Sequence, residues 1–279
     1  MNSVLLRRKL VNAIASTLAT ASAVTVLAFL TWILATLVSK GLPGIDLAFF
    51  TRLPTPPGET GGGLANALGG TLLLTGIAVG IGVPVGLLAG IYLAEFGRDG
   101  WVARSVRFFS DVLMGAPSIV IGVFVYGLLV RPTGKFSGLA GAVALAVLML
   151  PIVTRTTDEM LRLVPGSMRE AALALGAPAW KMVTRVSLKA ALPGITTGIM
   201  LAIARVSGET APLLFTALNS PYWSLNPLEP VATLNVTMFN YAMSPYHDWQ
   251  QLAWSAALVI TTGVLLLTIT ARALRMKAR

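Results

Sequence analysis

Long apolar runs, not the short alternation of half-buried elements, set the pattern of this chain. A helix needs roughly 20 mostly apolar residues to cross a bilayer core. Six runs meet that need and predict six transmembrane helices: 12–38, 67–94, 112–130, 138–154, 194–218 and 252–271. The first follows Arg7, Arg8 and Lys9, as a signal peptide would, but a signal h-region is only about 7–15 residues long. This run is about twice that, so it reads as an uncleaved span. Gly82, Gly86 and Gly90 stand four residues apart in the second run, after Gly76 and Gly80. Such spacing lets another helix approach closely, from this chain or from a partner. Pro84 among them predicts a bend. Two polar interruptions are longer than the others. Residues 39–63 are rich in Gly and Pro and read as a loop with room for a short interfacial helix. Residues 219–251 carry Tyr222, Trp223, Tyr241, Tyr246 and Trp249, which suit a membrane–water boundary. Either loop could meet a partner outside.

Composition agrees with the pattern. Charged residues make up 11% of the chain and hydrophobic ones 55%, against roughly 25% charged in soluble domains. The fold class expected is an all-α integral membrane protein. The absence of cysteine excludes disulfides, thiolate metal sites and a cysteine nucleophile. The single histidine, His247, cannot build a metal cluster alone and reads as a loop residue. A net charge of +10 raises nucleic acid as a partner. With the N-terminus inside, however, 16 of the 21 Lys and Arg residues fall on the inner side, four on the outer side, and Arg205 within a span. That asymmetry is the positive-inside rule, so the basicity reports topology. The expected organisation is a cytoplasmic N-terminus (1–11), a six-span domain (12–271) and a cytoplasmic C-terminus (272–279) in a plasma membrane.

Between the fourth and fifth runs lies 155–193, far longer than a connection needs. Its apolar residues recur at helical spacing. Pro165 and Gly166 interrupt it, Ser167 and Glu170 fit a capping box, Gly176 ends the short helix and Pro178 suits the start of the next. The segment predicts a short cytoplasmic helix, a turn, and an amphipathic helix leading into the fifth span. A short exposed helix can dock a partner or lie on the lipid surface.

The fifth run contains IARVSGETAP (203–212), where Arg205 and Glu209 stand four residues apart. Counted from Gly194, both lie roughly 16–22 Å along a helix, near the middle of the core. A charge there costs about 2.5–3.5 kcal/mol or more, so intramembrane charges mark pathways by default. A structural ion pair is the plainer reading. A guanidinium suits an anion because its planar fork meets phosphate-like oxygens bidentately and stays charged. Glu209 can restrain Arg205 when the site is empty, Gly208 removes bulk, Pro212 loosens the helix beyond, and Thr210 offers a hydroxyl.

Glu170-Ala171-Ala172, Gly176 and Leu192-Pro193 together resemble the EAA motif of binding-protein-dependent ABC importer permeases. With ARVSGETAPLLFTA, the resemblance narrows to phosphate-specific permeases of the PstA type and covers at least 67–272. It implies an importer type I fold, with Glu170, Ala171, Ala172 and Gly176 on the helix that couples to the ATPase. It implies Arg205 as an anion-pathway residue with Glu209 as its partner. It also implies Arg155 as a second pathway arginine, although the residues alone make Arg155 an ordinary inner-interface charge. The partners implied are a homologous second permease subunit (PstC type), two cytoplasmic ATPase subunits (PstB type) and an extracytoplasmic phosphate-binding protein (PstS type). No GxxxxGK[ST] loop, cofactor motif or nucleophile set is present, so the chain reads as a transport subunit and not an enzyme. A permease for sulfate or molybdate, or an ion-coupled secondary transporter, are the alternatives.

Overall fold

The computed structural model describes residues 3–59, 61–97 and 100–277. Arg98, placed above among the inner-side charges, lies outside the described residues, as do the ends of both expected cytoplasmic termini (1–2 and 278–279). The chain is helical, with no strand among the described residues. The helices are α1 (Ser3–Gly41), α2 (Leu47–Thr51), α3 (Ala65–Ile91), α4 (Trp101–Gly115), α5 (Ser118–Val125), α6 (Arg131–Thr133) and α7 (Gly138–Arg162). They continue with α8 (Gly166–Ala174), α9 (Ala179–Lys181), α10 (Leu188–Ser207), α11 (Ala211–Leu214), α12 (Leu234–Ala242) and α13 (His247–Lys277). Five helical stretches are long and apolar enough to span a membrane, and a bent pair makes a sixth candidate.

α1 is apolar on every side and is held at its C-terminal end. There Ser255 Oγ donates to the Gly41 carbonyl (2.8 Å), Gln251 Nε2 donates to the Lys40 carbonyl (2.7 Å), and Lys40 lies 4.9 Å from the Trp254 ring centre. These donors from α13 satisfy carbonyls that a helix end leaves unpaired, and the ammonium complements the negative end of the dipole. The short helix expected within 39–63 is α2. Asp46 caps it, accepting from the Phe49 N–H (2.8 Å), and Phe49 is fully buried. Trp249 stacks on Tyr241 (4.3 Å between centres) and donates to the Thr55 carbonyl (3.3 Å), tying the two long polar interruptions together.

The glycine ladder packs within the chain. A Cβ built on Gly86 would lie 2.8 Å from Val153 Cβ, and one on Gly90 would lie 2.5 Å from Thr157 Cβ. Gly82 meets Met149 in the same register. Gly76 and Gly80 face open space instead. Pro84 sits inside α3 without ending it, and the helix runs on through a π-helical turn, Tyr92–Gly97.

Two spans differ from expectation. The run 112–130 is not one helix: α4 and the stretch Ser118–Thr133 meet at 108°. Pro117 is the reason, since it disfavours helical geometry at the preceding residue, and Ala116 is extended there (ψ 137°). The fifth span begins earlier and ends earlier than 194–218. α9, a π-helical stretch (Met182–Ser187) and α10 form one 29-residue helix that stops at Ser207. It crosses α7 antiparallel, with Gly194 against Met160 and Gly198 against Thr156. His247 is the first residue of α13, not a loop residue.

Candidate functional site

The residues of IARVSGETAP form a helix break, not the middle of a helix. The Gly208 N–H bonds the Arg205 carbonyl (3.2 Å) and the Glu209 N–H bonds the Val206 carbonyl (3.1 Å), tightening the last turn of α10. Thr210 precedes α11 and its carbonyl accepts from Leu213 and Leu214. Pro212 then lies against Gly122 of α5, so closely that a Cβ on Gly122 would be 2.6 Å from Pro212 Cα. The break is inside the helical layer. It packs with Leu74 and Leu145, the tenth residue of α3 and the eighth of α7, roughly 10–14 Å along those helices.

Asn235 holds the break open. Its buried side-chain amide donates to the Ser207 carbonyl (2.8 Å) and the Glu209 carbonyl (3.0 Å). Two carbonyls freed by the end of α10 thereby find a partner where water is scarce. The sequence carried no sign of this role, because an asparagine beside a long loop has no distinguishing spacing.

The Arg205 side chain is 61% exposed and Glu209 is 18% exposed, with Nε and Oε1 3.9 Å apart. Among the described residues the Arg205 guanidinium makes no hydrogen bond. Its fork is therefore free to receive oxygens from outside this chain. Arg155 is different. Its Nη1 donates to Asp111 of α4 (2.6 Å) and its Nε to Glu159 (2.8 Å), so two carboxylates hold it. Beside it Asp158 joins Arg107 (3.0 Å) to Arg162 (2.7 Å), and the two sets of ion pairs pin the polar face of α4 to α7. Arg155 and Arg205 do not share one cluster. Thr156, next to Arg155, lies against Gly198, which is seven residues before Arg205 on α10, roughly 10 Å along its axis. Glu159 was legible as an i,i+4 partner of Arg155; Asp111, 44 residues away, was not.

The segment carrying Glu170, Ala171, Ala172 and Gly176 forms the short helix α8, which has no buried residue. The helix begins at Gly166, preceded by Pro165, so Ser167 lies inside its first turn and does not cap it. Its end is a Schellman turn: the Ala177 N–H bonds Ala172 (3.1 Å), the Gly176 N–H bonds Leu173 (2.9 Å), and Gly176 is left-handed (φ 80°). Leu175, 89% exposed, and Trp180 project beside it. The helix and the turn after it thus carry large apolar side chains in the open.

The model of the family described as "Binding-protein-dependent transport system inner membrane component" matches residues 82–279. The chain belongs to this family of transport permeases. It is 53% identical over 98% of its length to the phosphate transport system permease protein PstA of Yersinia pestis, covering 92% of that protein. It is 56% identical over 97% of its length to the PstA of Xylella fastidiosa strain Temecula1, covering 94% of it. A chain of the bacterial alginate ABC transporter, crystallised with an alginate-bound periplasmic protein, has the same fold. That chain matches with a TM-score of 0.65 at 14% identity, with 92% of each chain covered. As a permease of this family the protein is a multi-pass membrane subunit of the ABC importer architecture.

Proposed function

We propose that this permease is the membrane subunit of an ATP-driven phosphate importer. It forms half of the translocation pathway, and separate ATPase subunits act on α8. The observation that carries the reading is the helix break, where Arg205, held only by a loose 3.9 Å approach to Glu209, offers its guanidinium toward the outside of the subunit. A fork of five donors matches a tetrahedral oxyanion, and the exposed side of the break suits completion of the path by a second, homologous permease subunit. Phosphate is favoured over sulfate or molybdate by the names of relatives more than half identical along nearly the whole chain. An extracytoplasmic phosphate-binding protein would deliver the anion. Two ATPase subunits would supply the hydrolysis for which this chain has no phosphate loop.

Reconstitution with the co-purified partners tests this. The expected result is ATP-dependent uptake of phosphate, with sulfate and molybdate excluded. Uptake of either instead would give the site to another oxyanion. Uptake driven by an ion gradient without ATP would overturn the importer reading.

Both termini and α8 are proposed to face the cytoplasm, supported by the concentration of Lys and Arg on that side. Because the chain lacks cysteine, a cysteine at Ser39 should react with an impermeant thiol reagent added outside intact cells, and one at Ser167 should not. The opposite labelling would invert the topology.

A further inference from the structure

α8 has no buried residue, yet one side chain fastens it to the membrane helices. Arg169, which precedes Glu170, turns inward. Its Nη2 donates to Glu95 Oε1 (2.9 Å) and its Nε lies 3.2 Å from both Glu95 oxygens, a two-nitrogen grip on one carboxylate. The same guanidinium donates to two carbonyls at the end of α7, Leu161 (2.7 Å) and Val164 (2.6 Å). Glu95 is 4% exposed and sits in the π-helical turn that closes α3. A π turn holds an extra residue and re-aims the side chains that follow, which is how Glu95 comes to point at α8. One guanidinium therefore joins the ends of α3 and α7 to the first turns of α8. On the far side of α8 the connection is different: the left-handed Gly176 turn leads to the long helix of α9 and α10, with no charged bridge across it among the described residues.

We propose that Arg169 and Glu95 form the joint through which movement of α8 is delivered to α3 and α7. Displacing α8 without α3 and α7 would strip a buried carboxylate of the one ion-pair partner it has among the described residues, so the three helix ends move together. Arg169 and Glu95 are positioning residues, since neither meets phosphate nor projects with the exposed side chains of α8. The proposal rests on α8 being the helix on which the ATPase acts.

Single changes such as Glu95→Gln strand a buried charge and can cost assembly. The double variant Glu95→Gln with Arg169→Gln removes both charges and keeps the complex assembling with its ATPase. In that assembled double variant, stimulation of ATP hydrolysis by phosphate-loaded binding protein is expected to fall about tenfold, the size of an ordinary coupling loss. If the pair served stability alone, coupling would return together with assembly, and that result would overturn the joint. A second readout is spectroscopic. With spin labels at Ser167 on α8 and Leu88 on α3 of the full complex, the distance between them is expected to stay fixed when ATP is added. In the double variant it is expected to shift or broaden. A wild-type distance that changes on ATP addition as much as the double variant's would also overturn the joint. Gly176→Val checks the docking helix separately: unaltered stimulation there removes the docking reading and this proposal with it. Unaltered stimulation in the double variant alone removes only the joint.

Discussion

Arg205→Gln should abolish or severely reduce phosphate uptake in complexes that still assemble. The side chain is largely exposed on the isolated subunit and, among the described residues, makes no hydrogen bond, so its loss removes only a loose approach to Glu209, which is 18% exposed. Its approach to Glu209 is loose, at 3.9 Å, beyond hydrogen-bond reach. A bare guanidinium facing lipid at this depth would cost about 2.5–3.5 kcal/mol or more, so it belongs against a partner or a water-filled path. Glutamine fits the space and can hydrogen-bond, but it has neither the charge nor the fork. Glu209→Gln should be milder, because at 3.9 Å Glu209 makes no hydrogen bond to Arg205 that the amide would lose. Uptake of labelled phosphate into proteoliposomes, alongside size-exclusion of the complex, measures both. Should each single variant lose the complex and the double variant regain both complex and transport, the pair would be a structural clasp.

Gly176→Val should uncouple the ATPase, with phosphate-stimulated hydrolysis reduced roughly 5–30-fold, the factor that one or two kcal/mol represents. The cost is conformational and not steric. No atom lies within 4 Å of a Cβ built on Gly176, but φ is 80°, and a β-branched residue there loses roughly 1–2 kcal/mol. The Schellman turn would open, and Leu175 and Trp180 would leave their places beside α8. Asparagine tolerates the left-handed region, so Gly176→Asn should keep most of the stimulation. Equal loss in both variants would show that side-chain size at the docking surface, and not backbone shape, decides. The sequence placed the end of the short helix at Gly176, and its left-handed φ is the physical reason.

Local signals such as this one are what a one-dimensional pattern conveys. The apolar runs located the five helices long and apolar enough to span, because the bilayer imposes length and hydrophobicity on each separately, and missed most of α4. They did not reveal where a run is interrupted: Ala116-Pro117 breaks 112–130 and Gly208 breaks the fifth run, yet apolar residues continue on both sides of each break. Arg205 and Glu209 were legible as a pair because their spacing is local. The grip of Arg169 on Glu95 spans 74 residues and depends on a π turn, and the capping of α10 by Asn235 spans 28. Such contacts arise only when distant helices pack. The capping box at Ser167 and Glu170 failed for a related reason: Pro165 lets the helix start one residue before Ser167, and so the serine is already inside it.

The ladder of Gly82, Gly86 and Gly90 has a mechanical consequence. Each glycine receives a side chain of α7, and the receivers and the received recur every four residues on both helices. Shifting one helix along the other by less than a full turn, about 5.4 Å, would drive Met149, Val153 and Thr157 into Val83, Leu87 and Ile91 or their neighbours, where no notch exists. The two helices are toothed like a rack, so α3 and α7 tilt or translate as one beam. Any rearrangement of the permease is then taken up at the edges of that beam and not between these two helices.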